Sequence, residues 1–407
     1  MGAPELVQDY GAGSGIAEPR AAAKASPPRF EVTVARNRTD LAKIVPQWED
    51  LALHALEPNP MYEHWMLLPA IEALSERDMF CCVQVWLREP KRPQAQLCGL
   101  FPFQRVKRFK GLPVSALCSW SHASWMLCTP LVRAGMAQEC VTALLDWVER
   151  DGDGASIAEF RYLGCDAPFH GVLADALRES KSMVLAGDSF TRALLRRSAT
   201  ADAYLDAALS SGTRKDLRRK EKRLRERGEL KHVVLRSGDD VARWIEDFLR
   251  LEASGWKGRQ GSALACAEPT RRFAVATLTE AFRRGRLMMM GVDFESRPIA
   301  RCCNIAAGEG SYAYRTAYDE EFSRYSPGVM AEIAGIREFH AEPGLQWMDS
   351  ITDPDNITLN RLWKDRRTMQ TLVVGVGGWG ELWVSMMPMM RWTGGHIGLR
   401  RLRAPSR

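Results

Sequence analysis

Residues 311–330 combine a possible strand with a possible anion site. The chain runs Ser311-Tyr312-Ala313-Tyr314-Arg315-Thr316-Ala317-Tyr318, passes through Asp319-Glu320-Glu321-Phe322-Ser323-Arg324-Tyr325, and continues Ser326-Pro327-Gly328-Val329-Met330. The first eight residues read as a strand, and the last five open a helix. Ser326 is a helix-capping type, Pro327 suits a first turn, and Gly328 lets a ligand approach the backbone. A helix start presents N–H groups with no partner inside the helix, so this joint is a candidate phosphate site. A capped helix with no ligand is the plain alternative. A second anion-seeking feature lies upstream, where residues 214–227 hold nine Lys/Arg and three Asp/Glu. As a helix this segment has only Leu217 and Leu224 as apolar residues, a stripe too thin to bury much of it. Either it is a solvated helix held by pairs such as Glu221 with Arg225, or it is an arm for RNA or another polyanion. No aromatic residue is interleaved with its charges, so base stacking is not supported.

Composition bounds the rest. The chain has 407 residues, 46% hydrophobic and 26% charged, which excludes collagen-like and wholly disordered readings. Its net charge of +6 equals the excess of the 214–227 segment alone, so no uniformly cationic coat exists. The ten cysteines never form C-x-x-C and the seven histidines never form H-E-x-x-H. The expectation is therefore reduced thiols, no metal and a cytoplasmic location. The longest apolar candidate for a membrane span, 372–390, is broken by Gly375, Gly377, Gly378, Gly380, Glu381 and Pro388. Residues 1–28 read as a disordered leader. The 376–407 tail mixes Trp, Met and Arg and ends in Arg400, Arg401, Arg403 and Arg407. It reads as a disordered basic tail or as a peripheral contact with an anionic membrane, with Pro388 cutting any helix short.

One order of elements occurs twice. Strands at 79–87, 97–106 and 124–132 precede a helix at 136–150, a strand at 156–163, a helix at 169–179 and a strand at 183–189. Strands at 287–294, 299–307 and 311–318 precede a helix at 328–339, a strand at 345–350, a helix at 354–366 and a strand at 369–374. Helices at 239–254 and 269–284 open the second series, each stopped by a glycine. The pattern predicts an α+β fold of two tandem domains, 29–195 and 196–375, each a mostly antiparallel mixed sheet flanked by helices. Residues 79–190 and 287–374 are expected to superpose.

The run Leu251-Glu252-Ala253-Ser254-Gly255-Trp256-Lys257-Gly258-Arg259, the joint from Tyr318-Asp319 to Gly328, and Asn360-Arg361-Leu362-Trp363-Lys364 carry a family resemblance. Over roughly residues 29–375 the chain resembles GNAT-superfamily acyltransferases of the cellulose-biosynthesis (CelD-like) type, distant relatives of Fem-type peptidoglycan aminoacyltransferases. The resemblance implies tandem GNAT-like domains, acetyl-CoA or another acyl-CoA as donor, and an amine acceptor such as an amino sugar or envelope or polysaccharide precursor. A Fem-like use of charged tRNA, or a non-catalytic polyanion-binding module, is the alternative. The family's phosphate loop is reduced here to one glycine, with Arg324, Ser326, Gly328, Val329 and Met330 as donor-binding candidates. The first half lacks such a loop and is expected to be structural. Direct attack of an amine on a thioester needs positioning, oxyanion stabilisation and proton transfer. The implied bases are Asp349, preferred, and Asp319; the implied acids are Tyr318 and Tyr325. Trp256, Lys257, Arg315 and Lys364 are the substrate-binding candidates.

Overall fold

The computed structural model describes residues 29–75, 79–90, 94–122 and 125–394, with side chains to Met387. The expected leader and the four terminal arginines lie outside the described residues. The strands are β1 (Arg29–Ala35), β2 (Phe80–Arg88), β3 (Gln96–Val106), β4 (Ala116–Ser119), β5 (Leu131–Val132), β6 (Ile157–Gly164) and β7 (Val184–Arg196) in the first half. The second half adds β8 (Leu230–Val234), β9 (Leu287–Phe294), β10 (Arg297–Ala307), β11 (Gly310–Tyr318), β12 (Trp347–Asp349) and β13 (Asp365–Gly375). The helices are α1 (Arg38–Ala42), α2 (Val45–Leu53), α3 (His64–Leu74), α4 (Ala137–Arg150), α5 (Pro168–Glu179), α6 (Ala201–Ala208) and α7 (Ser211–Arg225). They continue with α8 (Val241–Ser254), α9 (Trp256–Arg259), α10 (Glu268–Arg283), α11 (Pro327–Ala341), α12 (Ile357–Leu362) and α13 (Gly377–Gly394).

The strands form one sheet, ordered β1-β2-β3-β4-β6-β13-β7-β12-β11-β10-β9-β8, with β5 joined to it off this path by pairing with β3. The fold is α+β, with both series of elements present. Their last strands are exchanged at the centre. β13, from the second half, sits between β6 and β7 of the first, and β7 sits between β13 and β12. The expected strand at 183–189 therefore runs on to Arg196, so that its last residues pair with β12.

Three further expectations need correction. The third strand of the first half is β4, whereas of the expected 124–132 the described residues 125–130 are irregular; Trp120, Trp125, Leu127 and Cys128 are apolar because they fill the core between the halves. The helix expected at 354–366 spans only Ile357–Leu362, because Asp365 begins β13 and accepts the Arg196 N–H at 3.1 Å. The tail is a helix through Gly394, seated on β13 with Val384 and Met387 buried. Gly380 permits close packing: a Cβ there would lie 1.9 Å from the Ser156 carbonyl oxygen. No helix among the described residues is long and apolar enough to cross a membrane.

Candidate active site

β11 is paired with β10 along its length, but its parallel pairing with β12 stops at Tyr312 opposite Asp349. Past that point Ala313–Tyr318 has no strand on its other side, and the sheet splays open. The register with β10 shifts between Cys303 and Asn304, leaving Tyr314 as an extra, bulged residue. Arg315 consequently reaches Glu252 of α8 on one face, while Thr316 reaches Glu332 of α11 on the other. In the first half, β4 is four residues long and is paired with β3 on one side and β6 on the other.

On the α11 face, the helix starts at a residue held in the left-handed region. Ser326 has φ 60° and ψ 50°, its side chain does not cap the helix, and Pro327 has no N–H to satisfy. The N–H groups of Gly328 and Val329 have no partner within the first turn. Lys220 of α7 donates to Ser326 Oγ at 3.1 Å, and Arg227 donates to Tyr325 Oη at 3.1 Å. Arg324 stacks on the Tyr325 ring, 4.7 Å from its centroid. The Arg227 hydrogen bond holds the Tyr325 phenol below its ordinary pKa. The basic helix is thus docked beside the first turn of α11, with Leu224 as its buried anchor and Leu217 packed partly against the core. Tyr318 lies over the same turn: a Cβ on Gly328 would be 3.0 Å from its Cδ1. Ser326, Gly328, Val329, Met330, Arg324, Tyr318 and Tyr325 are therefore brought together.

On the α8 face, Lys257 donates to Glu252 at 3.2 Å and to the Thr316 carbonyl at 3.1 Å. Arg315 meets the same Glu252 oxygen at 2.5 Å, and the other oxygen accepts the Leu264 N–H at 2.8 Å. Burial pushes the Glu252 carboxyl up, but the two cations outweigh it and its pKa lies below the ordinary value. Burial likewise lowers Lys257. Trp256 is 47% exposed; its N–H donates to Glu320 at 2.7 Å, tying α9 to the loop after β11. Lys364 is not part of this site. It lies exposed between α12 and β13, its ammonium 5.8 Å from the Tyr204 ring.

The two aspartates are occupied elsewhere. Asp349 ends β12 with no solvent exposure; Arg192 Nε approaches at 2.6 Å, Arg367 donates at 3.0 Å, and the Ile351 N–H donates at 2.9 Å. Burial raises its pKa, yet the guanidiniums prevail and hold it below the usual carboxylate range. Such a carboxylate locks β7, β12 and β13 together and is a poor proton acceptor. Asp319 caps the turn after β11 through the Glu321 N–H at 3.0 Å and is paired with Arg297. Sequence reasoning passed over Glu332, a buried carboxyl on α11 that accepts the Thr316 hydroxyl at the splay. Burial raises its pKa. The available signal was a lone carboxylate on the face of α11 that otherwise presents Gly328, Ala331 and Gly335 to the sheet.

Residues 211–356 match the family model described as the acetyltransferase (GNAT) domain. Among solved structures, that of FemX is similar over 86% of this chain and 98% of its own, at 10% identity and a TM-score of 0.54. A protein of unknown function from Bacteroides thetaiotaomicron is similar over 82% and 97%, at 10% identity and a TM-score of 0.49. A tandem GNAT protein of the clavulanic acid biosynthesis pathway is similar over 85% and 98%, at 12% identity and a TM-score of 0.42. No curated protein matches the sequence. The second half carries a GNAT acyltransferase domain, and the chain as a whole has the fold of FemX.

Proposed function

We propose that the protein moves an acyl group, acetyl by default, from acyl-CoA to an amine at the splay between β11 and β12, in the cytoplasm. The acceptor is an amino sugar or another envelope or polysaccharide precursor, as in acyltransferases of the cellulose-biosynthesis type; this part rests on family resemblance. The observation that carries the reading is the joint from Tyr318 to Met330. An uncapped helix start, a left-handed Ser326 and the flanking Lys220, Arg227 and Arg324 form a phosphate cradle beside a strand edge without a partner.

The donor diphosphate would rest on the N–H groups of Gly328 and Val329, the Met330 N–H being taken by the Ser326 carbonyl at 3.2 Å, and its thioester carbonyl would face the free N–H groups of Ala313–Tyr318. The amine nitrogen attacks the thioester carbon, forming the C–N bond and breaking the C–S bond. Two protons leave the nitrogen. Glu332 takes one through the Thr316 hydroxyl, and the other ends on the leaving sulfur by way of the Tyr318 phenol. The second reading, an aminoacyl donor on tRNA, draws on the outer face of α7, where Lys215, Arg218 and Arg223 have no carboxylate partner among the described residues.

Titration calorimetry with acetyl-CoA tests the reading. Wild-type protein should bind it, and the double variant Lys220→Ala, Arg227→Ala should bind at least about 10-fold more weakly, a loss of about 1.4 kcal/mol. No binding of acetyl-CoA by wild type, together with salt-dependent binding of tRNA, would replace this reading with the second.

A further inference from the structure

Helix α13 carries more apolar surface than the sheet beneath it covers. Val384 and Met387 are buried against Ile157 and Val373, and Gly380 lies against Ser156. Trp379, Leu382, Trp383 and Met386 form a second stripe, at i, i+3, i+4 and i+7. In this stripe Trp379 is 75% exposed and Leu382 47%, while Trp383 and Met386 are half-buried. The exposed polar residues of the helix, Glu381 and Ser385, are turned away from it by the helical spacing. Met183, 42% exposed, stands at the entry to α13, where its carbonyl accepts the Gly375 N–H at 2.9 Å. One exposed apolar side chain is ordinary on a protein surface, but a continuous group of them marks a contact surface.

A basic turn flanks this stripe. From the end of β3 the chain reads Arg105-Val106-Lys107-Arg108-Phe109-Lys110, four cations with no acidic residue among them. Phe109 is buried in the same cluster as Val384 and Met387, and Val106, Leu112 and Trp383 pack partly against it. The Phe109 N–H donates to the Val114 carbonyl at 2.9 Å, which fixes the turn with its cations on the outside. Lys110 reaches Glu159 at 3.5 Å, and Arg105 lies 3.9 Å from Asp153. Lys107 and Arg108 are exposed and have no carboxylate partner among the described residues. After Glu381 the sequence holds no acidic residue and five arginines: Arg391, Arg400, Arg401, Arg403 and Arg407.

Indole and aliphatic side chains beside unpaired cations match the boundary layer of an anionic bilayer. The apolar groups enter between the headgroups, and the cations remain with the lipid phosphates. A second copy of this chain is a poorer occupant, because a two-fold contact through α13 would bring two basic turns into one interface. We infer that α13 and the 105–110 turn together form a peripheral docking surface for an anionic membrane. The inference is independent of the acyl-transfer reading, which concerns the splay between β11 and β12.

Flotation of the full chain with lipid vesicles tests it. At low salt, wild-type protein should float with vesicles of phosphatidylcholine and phosphatidylglycerol and stay behind when phosphatidylcholine is used alone. High salt should weaken the binding by about 10-fold or more. Two double variants separate the contributions: Trp379→Ser with Leu382→Ser, and Lys107→Gln with Arg108→Gln. Each should bind the mixed vesicles about 10-fold or more weakly, at a melting temperature little changed because all four side chains are exposed. Wild-type protein that does not bind the mixed vesicles overturns the inference. Binding that either double variant keeps at wild-type strength also overturns it, since the contact then lies elsewhere. So does a dimer in sedimentation that Trp379→Ser with Leu382→Ser dissolves, without vesicle binding by wild type; the surface would then belong to a second copy.

Discussion

Asp349 and Glu332 are both enclosed carboxyls beside the splay, and their surroundings pull their protons in opposite directions. Asp349 faces Arg192 and Arg367, which hold it ionised, so its pair contributes stability above the unfolded carboxyl pKa and loses it as pH falls. Glu332 has a hydroxyl and a thiol for neighbours, and burial raises its pKa. Its folded form holds the proton more tightly than the unfolded chain does. That advantage is complete below the unfolded pKa of about 4.3 and is lost as pH rises through the higher folded value. Replacing each by its amide should separate a structural role from a chemical one. Asp349→Asn strands the buried Arg192 guanidinium, while Arg367 keeps Asp166, and should cost about 3–5 kcal/mol in a denaturant titration, the usual loss when one partner of a buried pair is removed. Glu332→Gln should leave the protein at least as stable at neutral pH, its advantage over wild type growing from pH 4 upward. The same change should lower kcat by about 10²- to 10⁴-fold, as removal of a proton-transfer group does. A Glu332→Gln protein that turns over at the wild-type rate would return the proton to water or to Asp319.

The elements that form the site were legible because their patterns are local. The strand at 311–318, the helix beginning at Pro327, the basic helix and the paired helices α8 and α10 follow apolar spacing, caps and glycine stops that a reader can see. The residues expected to bind the donor were therefore visible as neighbours, and they do meet. What escaped depends on contacts far along the chain. The docking of α7 against Ser326 and Tyr325 joins residues about a hundred positions apart. The apolar run around Trp120 and Trp125 looks like a strand until the second half is there to cover it. Asp349 reads as a strand end placed to take a proton until Arg192 arrives from the other half. At Gly328 the structure also changes the reason a side chain is excluded, since an added Cβ would meet the Tyr318 ring before any ligand. Gly328→Ala should therefore displace the phenol as well as narrow the cradle. The expected result is a rise of about 10-fold or more in the acetyl-CoA dissociation constant together with a fall in kcat, with the melting temperature little changed. Weaker donor binding at an unaltered kcat would show that the Tyr318 phenol takes no part in the chemistry.

The whole molecule is held as one body by the exchange of β7 and β13. Each of these strands lies between two strands of the other half. Without β13, β6 and β7 have no pairing between them; without β7, β12 loses its neighbour on the side away from β11. The Asp349 carboxylate, from the second half, binds Arg192 of the first and Arg367 of the second, so the charge lock sits on the same seam. One hydrophobic cluster also runs across it, from Trp48 and Trp65 through Trp125 to Phe273 and Tyr314. The duplicated order of elements suggests two separable units, yet this wiring makes each half an incomplete sheet with an unpaired edge and an open core. Cutting the chain in the loop between Arg197 and Thr200 provides the test. Expressed alone, residues 29–198 and 199–394 should each be insoluble or lack a cooperative melting transition. Co-expressed, they should pair one to one, elute as a single species and recover acetyl-CoA binding, because every strand again finds both neighbours. A 199–394 fragment that melts cooperatively by itself and binds acetyl-CoA as tightly as the full chain would show that the first half contributes nothing to the donor site.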